Sequence, residues 1–96
     1  GSSATTLKVY IGKGIKYFEK VGVAEFLLET KSLKVGDDIL ITGPTTGAIE
    51  MKVEEIRVDL KPVEETVKGE HFSLKIPEKI RPSDKLFKII PVEGKK

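Results

Sequence analysis

Apolar residues in this chain recur at a spacing of two. Leu7 and Val9 alternate with Lys8 and Tyr10, Phe72, Leu74 and Ile76 alternate with Ser73 and Lys75, and Ile49, Met51 and Val53 alternate with Glu50, Lys52 and Glu54. Successive side chains of a strand point to opposite faces, so this period gives strands with one buried face, and no segment sustains the 3.6-residue period of a helix. The runs are about five to nine residues long and are punctuated by glycine and proline, which is the pattern of a sheet protein with many short strands.

The stretch from Leu33 to Gly47 sets the frame. It holds a turn at Gly36-Asp37, an apolar strand at Ile39 to Thr42, and a second turn from Gly43-Pro44 that closes at Gly47. Gly12 and Gly14 interrupt the first strand pattern, and paired glycines inside a strand predict a bulge or tight bend. Val23 to Glu29 is apolar on both faces, which predicts a strand that is central or covered rather than at an edge. Ile56 and Val58 reverse the parity of Ile49 to Val53, and this predicts a bulge or sharp bend near Glu54-Glu55. Asp59 to Gly69 reads as loop, with a single helical turn begun by Pro62 and stopped by Gly69. Lys85 to Pro91 is the last strand.

A chain of 96 residues makes one domain and buries about 60 to 65% of the surface it exposes when unfolded. The expected fold is all-β, a small closed antiparallel β-barrel of six or seven strands, since closure removes exposed edges. Gly1 to Ser3 reads as a tag remnant, 4–92 as the barrel domain, and 93–96 as a frayed tail. There is no cysteine, which excludes disulfides, thiolate nucleophiles and cysteine-ligated zinc. No run approaches the roughly 20 apolar residues of a membrane span. The expectation is a cytoplasmic monomer with no membrane association. Asn and Gln are absent and charged residues make up 33%, a composition reported for heat-adapted proteins.

The residues do not specify catalysis. His71 is the only histidine, and a metal centre needs several convergent ligands; none is expected, and no cofactor. Asp37-Asp38, Glu54-Glu55 and Glu64-Glu65 are sequence neighbours on extended chain, so their members point apart rather than at a common substrate. Ser73 and Ser83 lack the setting of a hydrolytic triad. Gly12-Lys13-Gly14 lacks the spacing of a phosphate loop. The hydroxyls and amides of the turn Thr45, Thr46, Gly47 form a candidate anion-binding site. Lys13, Lys16, Tyr17, Arg57, Arg81, Lys85 and Lys88 form a candidate RNA-binding set, in which cations neutralise phosphates and the tyrosine ring stacks on an unpaired base.

Several stretches carry family resemblances. Val53-Glu-Glu-Ile-Arg-Val-Asp59 with Lys61-Pro-Val-Glu-Glu-Thr-Val-Lys-Gly69 resembles the late part of the β-barrel second domain of translational GTPases such as elongation factor Tu, and Leu33 to Gly43 resembles the turn and strand of that domain. Over nearly the whole chain the sequence is similar to the C-terminal barrel of the collagenase-like peptidase family U-32, through Gly43-Pro-Thr-Thr-Gly47 and Ile80-Arg-Pro-Ser-Asp-Lys-Leu-Phe-Lys88. The first resemblance implies a non-catalytic module that contacts transfer or ribosomal RNA. The second implies a protein-interaction or substrate-presenting domain whose catalysis belongs to an upstream domain, with exposed apolar residues such as Leu40 or Phe87 docking on a partner.

Overall fold

The computed structural model describes residues 5–92. The tag remnant expected at 1–3 and the frayed tail expected at 93–96 lie outside the described residues. Ten strands and no helix make up the rest: β1 (Thr5–Phe18), β2 (Val23–Leu28), β3 (Ser32–Lys34), β4 (Asp38–Gly43), β5 (Gly47–Lys52), β6 (Ile56–Val58), β7 (Lys61–Val63), β8 (Glu65–Val67), β9 (His71–Lys75) and β10 (Lys85–Val92). Eight of them form one sheet in the order β5-β4-β10-β1-β2-β9-β6-β7, and β3 pairs with β8 in a second, two-stranded sheet.

The spine is β1, a strand of 14 residues. Its first half pairs with β10, from Thr5 opposite Val92 to Lys13 opposite Lys85, and its second half pairs with β2, from Gly12 opposite Leu28 to Phe18 opposite Val23. The register slips between Tyr10 and Gly12 on one side and between Gly14 and Lys16 on the other. These are the bends that the paired glycines predict. At Gly12 the reason is steric, because a Cβ there would run into the backbone carbonyl oxygen of Leu27. Only glycine lets the two strands approach this closely.

The strands are all antiparallel, but the sheet does not close through hydrogen bonds. Strands β5 and β7 end it, with no ladder between them among the described residues. The cause lies at the parity reversal. The β4–β5 hairpin finishes where the Val53 N–H donates to the Asp37 carbonyl and the Gly36 N–H donates to the Val53 carbonyl, both at 2.8 Å. Glu54 and Glu55 then carry the chain away, and β6 joins β9 only at Arg57 opposite Ser73. The bend keeps Val53 and Ile56 both inside, 2% and 0% exposed. The closed barrel of six or seven strands is thus not shown: the strands number ten, and one seam is open.

The helical turn expected from Pro62 does not form. Lys61–Val63 instead pairs back on Ile56–Val58, through a two-residue turn in which Asp59 and Leu60 have φ of 55° and 66°. Two positive φ values in a two-residue loop are the geometry of a type I′ hairpin, whose twist matches that of the flanking strands. The sequence conceals it because Leu stands where Gly is usual.

One core holds the layers together. Ile11, Phe26, Ile39, Ile41, Phe72 and Leu86 are at most 1% exposed, and the rings of Phe26 and Phe72 stack with centroids 5.5 Å apart. The small β3–β8 sheet adds Leu33 and the buried Thr66 to the protein interior. Thr66 Oγ1 donates to Glu70 Oε1 at 2.8 Å, and the Val67 N–H donates to the same oxygen at 3.0 Å. These two donors, the backbone one foremost, hold the Glu70 carboxyl below its usual range.

Candidate interaction site

The two stretches that resemble the peptidase family, separate in sequence, meet in space at Asp84. Its carboxylate is only 3% exposed. Oδ2 accepts the Thr46 hydroxyl at 2.5 Å and the Arg81 N–H at 2.9 Å. The Gly14 N–H donates to the Asp84 carbonyl and the Ser83 N–H donates to the Gly14 carbonyl, each at 2.8 Å. The Arg81-Pro82-Ser83-Asp84 turn therefore clamps the bend of β1 and the Gly43–Gly47 turn together. A Cβ on Gly43 would occupy the place of the Asp84 carboxylate. The turn of Thr45, Thr46 and Gly47 is accordingly organised toward a carboxylate of the chain itself, with the Thr46 proton already engaged.

The seven basic and aromatic residues divide between the two faces of the sheet. Cross-strand partners share a face, so Lys16, opposite Glu25 in a row with Ser73 and Arg57, and Lys13, opposite Leu27 and Lys85, lie on the outer face, together with Arg57 and Lys85. Lys13 sits 3.7 Å from Glu29, and Arg57 pairs with Glu55 at 3.0 Å. Lys16 lies over the Phe18 ring at 5.1 Å. Tyr17 is in register with the fully buried Ala24 on the inner face, and its hydroxyl donates to the Ile76 carbonyl at 2.9 Å. Lys88 shares the face of buried Ile39, and its Nζ donates to the Ser32 carbonyl at 2.7 Å. Arg81 sits on the clamp turn, where its guanidinium donates to the Lys79 carbonyl at 3.3 Å. His71, a lone surface histidine, has its Nδ1 2.9 Å from Glu25. Among the described residues no three His, Asp or Glu converge as metal ligands, and no helix is long and apolar enough to cross a membrane.

Two surfaces have the chemistry of contact. The first is an outer row across three strands, Tyr10 opposite Phe87 and Phe87 opposite Leu40. The Tyr10 and Phe87 rings meet edge to face at 5.9 Å. The Tyr10 hydroxyl donates to Glu29 Oε1 at 2.5 Å. That bond, with burial and the negative charge beside it, pushes the phenol up to about 12. From the sequence, Leu40 and Phe87 are expected to be exposed, whereas both are half-buried, and Tyr10 and Glu29 are not singled out. Their only signal was Tyr10 on the polar side of an alternating strand.

The second surface is a groove at the open seam. It runs between the end of β5, with Met51, Val53 and Glu54, and β9, with Leu74 and Lys75, and widens toward Gly22 and Pro77. Its two sections have volumes of about 380 and 490 Å³. The floor is apolar and the rim carries both signs of charge.

No protein-family model matches the chain. Over 88 residues, 92% of the chain, it is 58% identical to a protein named collagenase from Porphyromonas gingivalis. Over 87 residues it is 37% identical to a protein named as an uncharacterized protease from Methanocaldococcus jannaschii. The chain spans about a fifth of the length of these relatives, 21% of each. Among solved structures, it superimposes on the C-terminal domain of a U32 peptidase from Geobacillus thermoleovorans with a TM-score of 0.77 and 16% identity, covering 83% of this chain and 91% of that one. The last likeness shows a shared fold. Together these matches support the peptidase-family resemblance and leave the translational-GTPase resemblance, RNA binding and a heat-adapted source without support.

Proposed function

We propose that this chain is a non-catalytic accessory domain of a collagenase-like peptidase, a protein-interaction module that presents polypeptide to a catalytic domain elsewhere in a longer protein. The observation that carries this reading is the pairing of 58% identity with partial coverage: 92% of the chain aligns with only 21% of a protein named collagenase. The fold likeness to a C-terminal domain of a U32 peptidase supports the same assignment. So does the surface chemistry, in which an aromatic row and an apolar groove are available for contact while Thr46, Thr66, Glu70 and Asp84 are tied into structural bonds.

Tyr17 favours this reading over an RNA module. An RNA platform needs a ring free to stack, and Tyr17 is inward with its hydroxyl bonded to Ile76.

The test is deletion of the homologous segment from the Porphyromonas gingivalis collagenase. Cleavage of heat-denatured collagen should fall sharply while hydrolysis of a short fluorogenic peptide survives, because only the long substrate needs presenting. Undiminished cleavage of both substrates, or cleavage by the purified 96-residue chain alone, would overturn the reading.

A further inference from the structure

We propose that the outer sheet face around Lys85 is a docking site for polypeptide that carries a carboxylate two residues away from an apolar side chain. The proposal rests on the accessory-domain reading and deepens it by naming the chemistry of the segment presented and the face that takes it. Its basis is a pair of cations that the strand register brings together with a single counter-charge.

Lys13 and Lys85 stand directly opposite each other on β1 and β10. Like charges at opposed positions of neighbouring strands repel, and here the backbone ladder fixes both. Among the described residues, Glu29 is the one carboxylate within ion-pair distance of either, 3.7 Å from Lys13, and none reaches Lys85. The other Glu29 oxygen accepts the Tyr10 hydroxyl. Two positive charges therefore share one negative charge, and an incoming carboxylate completes the set.

Further donors lie beside Lys85. Its partner on the other side is Thr42, and Thr42, Ser83 and Lys85 line a hollow of about 320 Å³ next to Gly43 and Gly47. Neither hydroxyl is engaged by another side chain among the described residues. A carboxylate over Lys85 thus meets an ammonium group with hydroxyl donors at hand, and charge-assisted bonds of this kind are the stronger ones.

The neighbouring row supplies the apolar half of the site. Phe87 follows Lys85 on the same face of β10, about 7 Å along the strand, and is flanked by Tyr10 on β1 and Leu40 on β4. An extended guest repeats its own side chains at this interval. Placing a carboxylate over Lys85 therefore puts the side chain two residues away onto Phe87. One row further on, Ile89 lies opposite Lys8 on β1 and Asp38 on β4. Asp38 is paired with Lys52 at 3.1 Å, while no described carboxylate pairs with Lys8. The face is complementary to acidic, apolar and acidic side chains at successive alternate positions.

A nucleic acid matches this face less well. Glu50 stands opposite Leu40 at one end of the aromatic row, and Glu29 is bonded to Tyr10 at the other. Carboxylates at both ends repel a phosphate backbone.

The experiment is a titration of the isotope-labelled chain with the capped heptapeptide Gly-Glu-Ser-Phe-Ser-Glu-Gly, whose pattern reads alike in both directions, followed by backbone amide shifts at low salt. Shifts should cluster at Tyr10, Lys13, Thr42, Lys85 and Phe87. Replacing both Glu of the peptide by Gln, or its Phe by Ala, should weaken binding at least about fivefold. Lys85→Gln should weaken binding of the parent peptide by a similar factor without lowering the thermal midpoint, because it relieves a like-charge pair. A lysine with only a structural role would lower the midpoint and leave binding alone. Lys61→Gln, on β7 at the far end of the sheet, should bind as the parent does. Absent shifts, shifts confined to other faces, or equal binding of the Gln peptide would overturn the proposal. So would unchanged binding by Lys85→Gln, or tighter binding of a uridine hexanucleotide at the same residues. A failed titration alongside impaired cleavage of denatured collagen in the deletion variant removes this site alone. Binding here with an inert deletion removes the accessory-domain reading instead.

Discussion

Thr46 and Asp84, 38 residues apart in the chain, are joined by a hydrogen bond of 2.5 Å from the threonine hydroxyl to Oδ2. The Asp84 side chain is almost wholly buried, and its other donor is the Arg81 N–H within its own turn. Thr46→Val removes one of the two donors and keeps the shape. We expect it to lower the free energy of unfolding by about 1–3 kcal/mol, the usual cost of depriving a buried acceptor of a partner. Chemical denaturation of the two proteins checks it; an unchanged midpoint would mean that water supplies the missing donor.

Gly43 answers to the same carboxylate. Gly43→Ala should destabilise by about 2–3 kcal/mol, because the new methyl and the Asp84 carboxylate claim one space. In an Asp84→Ala background the same substitution should cost less. A double-mutant cycle should give a coupling of about 1 kcal/mol or more, whereas strict additivity would place the origin of the Gly43 requirement elsewhere.

Leu60 is 86% exposed and has a φ of 66°, a conformation that costs a side-chain-bearing residue about 1–2 kcal/mol. Nothing is packed away by this side chain. Leu60→Gly relieves the strain and should raise stability by about 0.5–1 kcal/mol after the greater freedom of glycine in the unfolded chain is deducted. A thermal melt that shifts downward would show that the leucine makes a contact in the folded state.

Tyr10 should deprotonate near pH 12, about two units above an ordinary tyrosine. The folded state holds this proton more tightly than the unfolded state does. The stability it contributes is therefore fully present below about pH 10 and is lost as the pH rises from there through 12. Ring resonances followed through an alkaline titration report the value directly. In Glu29→Gln the inflection should move down toward the ordinary value, since the acceptor and its charge are the leading causes of the shift.

The alternation of Phe72, Leu74 and Ile76 located β9, and the doubly apolar Val23 to Glu29 marked a strand that lies inside the sheet, between β1 and β9. Both follow from period and burial, which are local properties. The type I′ turn at Asp59-Leu60 was not legible, because tertiary pairing imposes positive φ on a leucine that no local rule would place there. Asp84 enters the sequence reading only within the stretch Ile80 to Lys88; that its carboxylate reaches back to Thr46 is a long-range fact with no local trace. The open seam escaped for a related reason. Reversed parity at Glu54-Glu55 revealed the bend, but where the chain went afterwards depends on which edge captures β6. The candidate site fared least well, since whether Lys13, Tyr17 and Lys88 share a face depends on register and on the two bulges of β1.

The pairing of Thr5 with Val92 also bears on how the domain is made. The first strand cannot acquire its full complement of hydrogen bonds until the last one has been synthesised and has left the ribosome. Contacts of such long sequence separation are slow to form, and until they do the first half of β1 has an unpaired edge. Biogenesis is then all-or-nothing for this unit: a nascent chain stopped before β10 holds a spine with one flank bare, a state suited to chaperones and vulnerable to aggregation.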